Sequence, residues 1–191
     1  MNSSLPHIIL ASNSPRRREL LAGLGIDFEV RVLDGIDESY PDTLPVSEIA
    51  EHLAVKKADA YRSSMAADEL IITADTVVVC GDEVMGKPAD ESDAHRMLCQ
   101  LSGRVHHVIT GVCITTKLQQ RHFSVTTEVT FKQLSDDEIT YYITHYRPFD
   151  KAGAYGIQEW IGYIGCTGLN GSYYNVMGLP VQRIYQELLQ W

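Results

Sequence analysis

The residues of this chain best suited to chemistry begin at a junction between an apolar run and an arginine cluster. Residues 8–11 stop at Ser12-Asn13-Ser14, and Pro15 then stands where a first helical residue would, with Ser14 placed to cap it. A helix start offers unpaired backbone N–H groups and the positive end of the macrodipole, a setting for phosphate or carboxylate. Arg16, Arg17 and Arg18 follow within the first turn. A cation there costs an isolated helix a few tenths to about 1 kcal/mol, which a bound anion would offset. Arginines that merely solvate a helix end are the ordinary alternative; strand, Ser-rich turn and Arg-rich helix start together favour the anion site.

Asp75 is the second candidate, because it interrupts the most apolar run of the chain, residues 70–79. A buried carboxylate costs several kcal/mol unless it is paired, hydrogen-bonded or metal-bound. A position at a strand end, facing a cleft, would relieve that cost and allow its pKa to be tuned; capping a turn is the plainer role. Thr76 beside it could orient a ligand or simply favour a strand. Val46, Ile49, Ala50, Leu53 and Ala54 form a helical stripe whose next inward position is Lys57. Such a lysine either snorkels to the helix edge or meets a buried anion. Lys87 stands in the turn Met85-Gly86-Lys87-Pro88, where a surface lysine is the default reading. Asp37 and Glu38 follow Gly35 and offer oxygen ligands for a hard cation, or only a solvated acidic loop.

Together Arg16, Arg17, Lys57 and Lys87, set against Asp37, Glu38 and Asp75, supply cations for a polyphosphate and oxygens for a divalent ion. That combination serves phosphoanhydride hydrolysis by positioning and charge neutralisation. Neither a P-loop nor a dinucleotide fingerprint is present. His106 and His107 would point to opposite faces of a strand and cannot pair as metal ligands.

The elements that must position these groups follow from periodicity. Strands are expected at 8–11, 28–33, 70–79, 83–85, 105–116 and 121–131, and helices at 15–24, 46–64 and 94–101. Ser135-Asp136-Asp137-Glu138 is a capping box opening a helix to about residue 145. A glycine-rich region spans 153–178, and Pro180 starts a terminal helix with Val181, Ile184, Tyr185 and Leu188 on one face. The result is an α/β fold with a mixed, bent sheet and flanking helices, and no linker divides residues 1–191 into independent domains.

The chain has 191 residues, 45% hydrophobic, with a formal net charge of −9. That charge disfavours a broad footprint for nucleic acid or an anionic membrane. Cys80, Cys99, Cys113 and Cys166 lie far apart, with neither a disulfide framework nor zinc spacing, which fits a reducing compartment. No signal-peptide pattern or transmembrane-length run is seen, so the cytoplasm is the expected location.

The ordered blocks of this chain resemble those of the Maf family, named for septum-formation inhibition. They are Leu10-Ala-Ser-Asn-Ser-Pro-Arg-Arg17, Gly35-Ile-Asp-Glu38, Leu53-Ala-Val-Lys-Lys-Ala58, Ala74-Asp-Thr76, Gly86-Lys-Pro88, Leu101-Ser-Gly103, Asp150-Lys-Ala-Gly-Ala-Tyr-Gly-Ile-Gln158, Asn170-Gly-Ser-Tyr173 and Gly178-Leu-Pro180. The resemblance covers essentially the full length and implies a single domain, its bent sheet and helices forming two lobes around a cleft, as in inosine-triphosphate pyrophosphatases. It implies a nucleoside triphosphate pyrophosphatase that releases the monophosphate and diphosphate with Mg²⁺ or Mn²⁺. By the same resemblance Asp75 activates the attacking water and, with Glu38, holds metal. Arg17, Lys57 and Lys87 hold phosphate, and Arg16, Thr76 and Gln158 bear on substrate choice. The Lys151–Gln158 block resembles the subgroup acting on dTTP and UTP, on normal or modified pyrimidine nucleotides; a glutamine amide can both donate to and accept from a pyrimidine edge. Lys56 departs from relatives that carry an acidic residue there. A non-catalytic nucleotide-binding regulator of cell division is the alternative from another class. No stable nucleic acid or membrane partner is expected, and a homodimer is compatible with the sequence.

Overall fold

Ser14 does cap the first helix: its side chain accepts from the Arg17 backbone N–H, with Pro15 in the first turn. A computed structural model describes residues 6–191. Along the chain it contains β1 (His7–Leu10), α1 (Pro15–Ala22), β2 (Glu29–Val30), α2 (Val46–Tyr61), β3 (Glu69–Cys80), β4 (Glu83–Met85) and α3 (Glu91–Leu101). Then come β5 (Val105–Thr115), β6 (Gln120–Phe131), α4 (Asp136–Tyr146), α5 (Trp160–Gly165), β7 (Cys166–Asn170), α6 (Tyr173–Val176) and α7 (Val181–Leu188).

The strands form one seven-stranded mixed sheet in the order β2-β1-β3-β5-β6-β7, with β4 paired to β3. β1 runs parallel to both β2 and β3, placing Leu10 beside Ile72, whereas β3–β4 and β6–β7 are antiparallel. The apolar run of β3 is central, as its near-continuous burial requires.

Contacts divide the chain into two compact units. The first takes the chain up to Asp75, Thr110–Val125 and Gly178–Trp191; the second takes Thr76–Ile109 and Thr126–Met177. In the first, Ala50, Ala54 and Ala58 give α2 a small-residue face that is fully buried. It approaches β5 so closely that a Cβ on Gly111 would lie 2.2 Å from the Ala50 backbone carbon. In the second, α3 and α4 pack on a core that includes Val78, Met97, Leu98, Phe131 and Tyr142. The capping box of α4 is complete, Ser135 accepting from the Glu138 N–H while Glu138 accepts from the Ser135 N–H.

Three expectations need correction. The strand expected at 28–33 shrinks to Glu29–Val30. After Arg31 donates to the Leu10 carbonyl the chain turns away, and the Leu33 N–H goes to the Tyr61 hydroxyl instead. The glycine-rich stretch, for which no elements were expected, builds α5, β7 and α6. Asp75 lies in the middle of a twelve-residue strand, neither at a strand end nor on a turn.

Candidate active site

Two successive rungs join β3 to α2 in the first unit. The buried Thr73 hydroxyl donates to the Ala54 carbonyl at 2.6 Å. Two residues further along the same face of β3 is Asp75, and three residues further along α2 is Lys57. The Lys57 ammonium donates to Asp75 Oδ1 at 2.5 Å and lies 3.0 Å from Glu38 Oε1. The inward phase of Lys57 is thus resolved: it meets a buried anion. Lys57 and Asp75 side chains are 16% and 14% exposed, and Glu38 is 57% exposed.

Glu38 is held by its neighbours. The Lys56 ammonium, one residue before Lys57, donates to Asp37 Oδ2 at 2.6 Å, to the Ser39 carbonyl at 2.8 Å and to Ser39 Oγ at 3.1 Å. The Asp37 carboxylate also accepts the Ser39 N–H and hydroxyl. The Lys56 hydrogen bond, seconded by those from Ser39, holds the Asp37 carboxyl far below the usual carboxylate range. Glu38 therefore stands between two clamped residues. In the sequence Lys56 reads only as a departure; the tandem pairs Asp37-Glu38 and Lys56-Lys57 are the signal for this clamp.

Arg17 approaches the same carboxylates. Its Nε donates to the Gly178 carbonyl at 2.7 Å and its Nη1 to the Ala74 carbonyl at 2.8 Å. Burial lowers the guanidinium pKa, Arg16 adds to that, and the Asp75 and Glu38 charges oppose it. Arg17 thus fastens the start of α1 to the strand carrying Asp75. Arg17, Glu38, Lys57 and Asp75 come together in this unit, and Arg16, half-buried, shares the first turn of α1.

Lys87, Thr76 and Gln158 fall in the second unit. Thr76 follows Asp75 on β3 with its side chain on the opposite face. Lys87 is exposed, in the turn after β4. That turn is tied to the Gln158 loop, because the Gly153 N–H donates to the Gly86 carbonyl at 3.0 Å. Gly153 has φ +67° there, and a Cβ would meet Val78 at 2.9 Å, so only glycine fits. The Lys151, Tyr142 and Glu159 side chains that hold this loop gave no sequence signal as a group. Among the described residues no three His, Cys, Asp or Glu side chains gather as a metal site, and no helix is long and apolar enough to cross a membrane.

This sheet and helix arrangement has a solved counterpart in a HAM1 protein from Coxiella burnetii, with a TM-score of 0.51 over 98% of this chain and 100% of that one, at 14% identity. The class is therefore the HAM1-like mixed α/β fold. Within it, the family described as Maf-like protein matches residues 7–191. The chain belongs to the Maf family. A Phocaeicola vulgatus protein named dTTP/UTP pyrophosphatase is 65% identical over 181 residues, covering 95% of this chain and 94% of its own. Proteins of the same name from Parabacteroides distasonis, with the same coverage, and from Flavobacterium psychrophilum, covering 95% of this chain and 93% of its own, are 62% and 50% identical.

Proposed function

We propose that this protein is a pyrophosphatase that hydrolyses dTTP and UTP between the α- and β-phosphates, releasing the monophosphate and diphosphate. The observation that carries the reading is the Lys57 ammonium set between Asp75 and Glu38, on a chain 65% identical to a protein named for that activity. A charged lysine against a strand carboxylate fixes an oxygen base on rigid backbone, where it can accept a proton from water. Arg17, Lys57 and Lys87 are assigned to the triphosphate, whose developing charge is stabilised best by preplaced cations. Arg16, Thr76 and Gln158 are assigned to substrate choice, the Gln158 amide reading the pyrimidine edge.

The donor set suits a hard divalent ion. Glu38 and Asp75, both in contact with the Lys57 ammonium, are the carboxylates that would hold Mg²⁺ or Mn²⁺, which needs few protein carboxylates when phosphate oxygens and water complete its shell. Bound there, the ion would neutralise phosphate charge. A soluble nucleotide substrate with no lipid step fits a cytoplasmic enzyme.

The test is diphosphate release from a panel of nucleoside triphosphates, with Mg²⁺, Mn²⁺ or chelator. Release from dTTP and UTP, lost with chelator and in Asp75→Asn, is the expected outcome. Binding of intact nucleotide without turnover would instead identify a regulator.

A further inference from the structure

Gln158 is the third residue of a tight turn, Gly156–Glu159, closed by the Glu159 N–H donating to the Gly156 carbonyl at 3.0 Å. Its Oε1 is buried and has no hydrogen-bond partner within the protein. A buried amide acceptor left unmatched is costly, and a donor on a ligand would relieve it.

One buried network grips both ends of that turn. Tyr142, fully buried on α4, accepts the Gly156 N–H through its hydroxyl oxygen at 2.9 Å and donates its own proton to Glu159 Oε2. Burial and the adjacent carboxylate push the Tyr142 phenol far above its ordinary range, so it stays a donor. The Lys151 ammonium, on a side chain only 9% exposed, lies 3.1 Å from Glu159 Oε1 and 2.8 Å from Asp150 Oδ1. A Cβ on Gly156 would come within 2.9 Å of the Glu159 carboxyl carbon and 3.1 Å of Lys151 Cε, so the turn lies flush on the network. Buried ion pairs stabilise a fold no better than well-packed apolar side chains. What this one supplies is geometry, on both sides of the residue assigned to the base.

We infer that Glu159 is a positioning residue for nucleotide selection: clasped by Lys151 and Tyr142, it fixes the turn from which the Gln158 amide is presented. The inference rests on the proposed pyrimidine reading and deepens it. Uracil and thymine present acceptor, donor, acceptor along their pairing edge, so an amide oxygen takes N3–H while the amide nitrogen gives to a carbonyl. Cytosine presents acceptor, acceptor, donor, which the same amide matches once rotated by half a turn. A glutamine on a turn that can shift has room to rotate and serve both bases, whereas one presented from a held turn selects uracil and thymine.

The experiment compares kcat and KM for UTP, dTTP and CTP in wild type, Glu159→Gln, Tyr142→Phe and Gln158→Ala, with thermal melts of each. Glu159→Gln keeps the shape and removes the charge. It should cut the UTP-over-CTP ratio of kcat/KM at least tenfold, through KM for UTP, with kcat changed by less than about threefold. Tyr142→Phe, which frees the Gly156 end and removes one of the two contacts to the Glu159 carboxylate without touching a charge, should lower the same ratio and serves where Glu159→Gln folds poorly. Loss of the ratio in Gln158→Ala alone, with both other variants selective, overturns the inference and leaves the pyrimidine reading standing. Retention of the ratio in Gln158→Ala, or no such preference in wild type, overturns that reading and the inference with it. An equal loss for all three nucleotides with a lowered melting temperature would make Glu159 merely structural, which also overturns the inference.

Discussion

Replacing Lys57 by methionine keeps the length of the side chain and removes its charge. The lost ammonium lies 2.5 Å from Asp75 and 3.0 Å from Glu38. Glu38, 57% exposed, is re-solvated when its partner goes, so its share is that of a surface pair, below about 1 kcal/mol. Asp75, 14% exposed, recovers little hydration. Removing one partner of a buried pair costs about 3–5 kcal/mol, and the narrow opening to solvent at Asp75 puts this case at the lower end, about 3 kcal/mol. In a chain of this length that corresponds to a fall in Tm of about 6–12 °C. Asp75→Asn made in the Lys57→Met background removes the stranded charge and should restore part of the loss, giving a coupling energy of about 2 kcal/mol. Urea unfolding of the four proteins at pH 7 measures the cycle. A Lys57→Met protein within about 1 kcal/mol of wild type, or a coupling energy near zero, would refute the paired-charge account of this site.

Arg17→Lys cannot reach both the Ala74 and Gly178 carbonyls with one ammonium; a loss of about 1–3 kcal/mol in denaturant unfolding is expected, together with a raised KM for dTTP. Gly111→Ala places a methyl on the α2 backbone and should cost about 3 kcal/mol, or yield insoluble protein, on expression and thermal melting. Burial pulls the His106 imidazole down from 6.5 to about 4. The unfolded chain then takes up a proton that the folded one refuses, so stability is complete above about pH 6.5 and falls as pH drops toward 4, by about 3 kcal/mol in all. His106→Gln should flatten the stability curve across that window, and an unchanged slope would rule His106 out as its source.

Local signals were readable where the physics is local. Ser14 and Ser135 cap their helices through hydrogen bonds spanning three residues, which residue order alone specifies. Asp75 and Lys57 were legible as anomalies, a charge in an apolar strand and a charge on an inward helical phase. That each answers the other is a contact across 18 residues that depends on how closely α2 approaches β3. The closeness comes from Ala50, Ala54, Ala58 and Gly111, whose small size reads from sequence only as low propensity or neutral filler. The stretch from 153 to 178 hid its elements because they are short and follow left-handed backbone at Gly153, φ +67°, and Ala154, φ +57°. The Lys151–Glu159–Tyr142 network escaped notice because no periodicity links its members; tertiary packing alone assembles it.

Lys56 shows how a departure from a family pattern can change the work a position does. Its ammonium has three donors, and the three contacts to Asp37 and Ser39 use them all. What it gives up in reach toward a phosphate it returns as rigidity, since Asp37 and Ser39 flank Glu38. Three groups then meet from three supports fastened to one another. Asp75 rides on the central strand, Lys57 on a helix locked to that strand by the Thr73–Ala54 bond, and Glu38 on a loop locked to that helix by Lys56. Charge stabilisation of a reacting phosphate costs no reorganisation only when the charges are already in place. A carboxylate at position 56 would add negative charge but leave the Glu38 loop unclamped. In this chain the loop is held by two consecutive lysines of α2: Lys57 meets the Glu38 carboxylate, and Lys56 fastens Asp37 and Ser39 on either side of it.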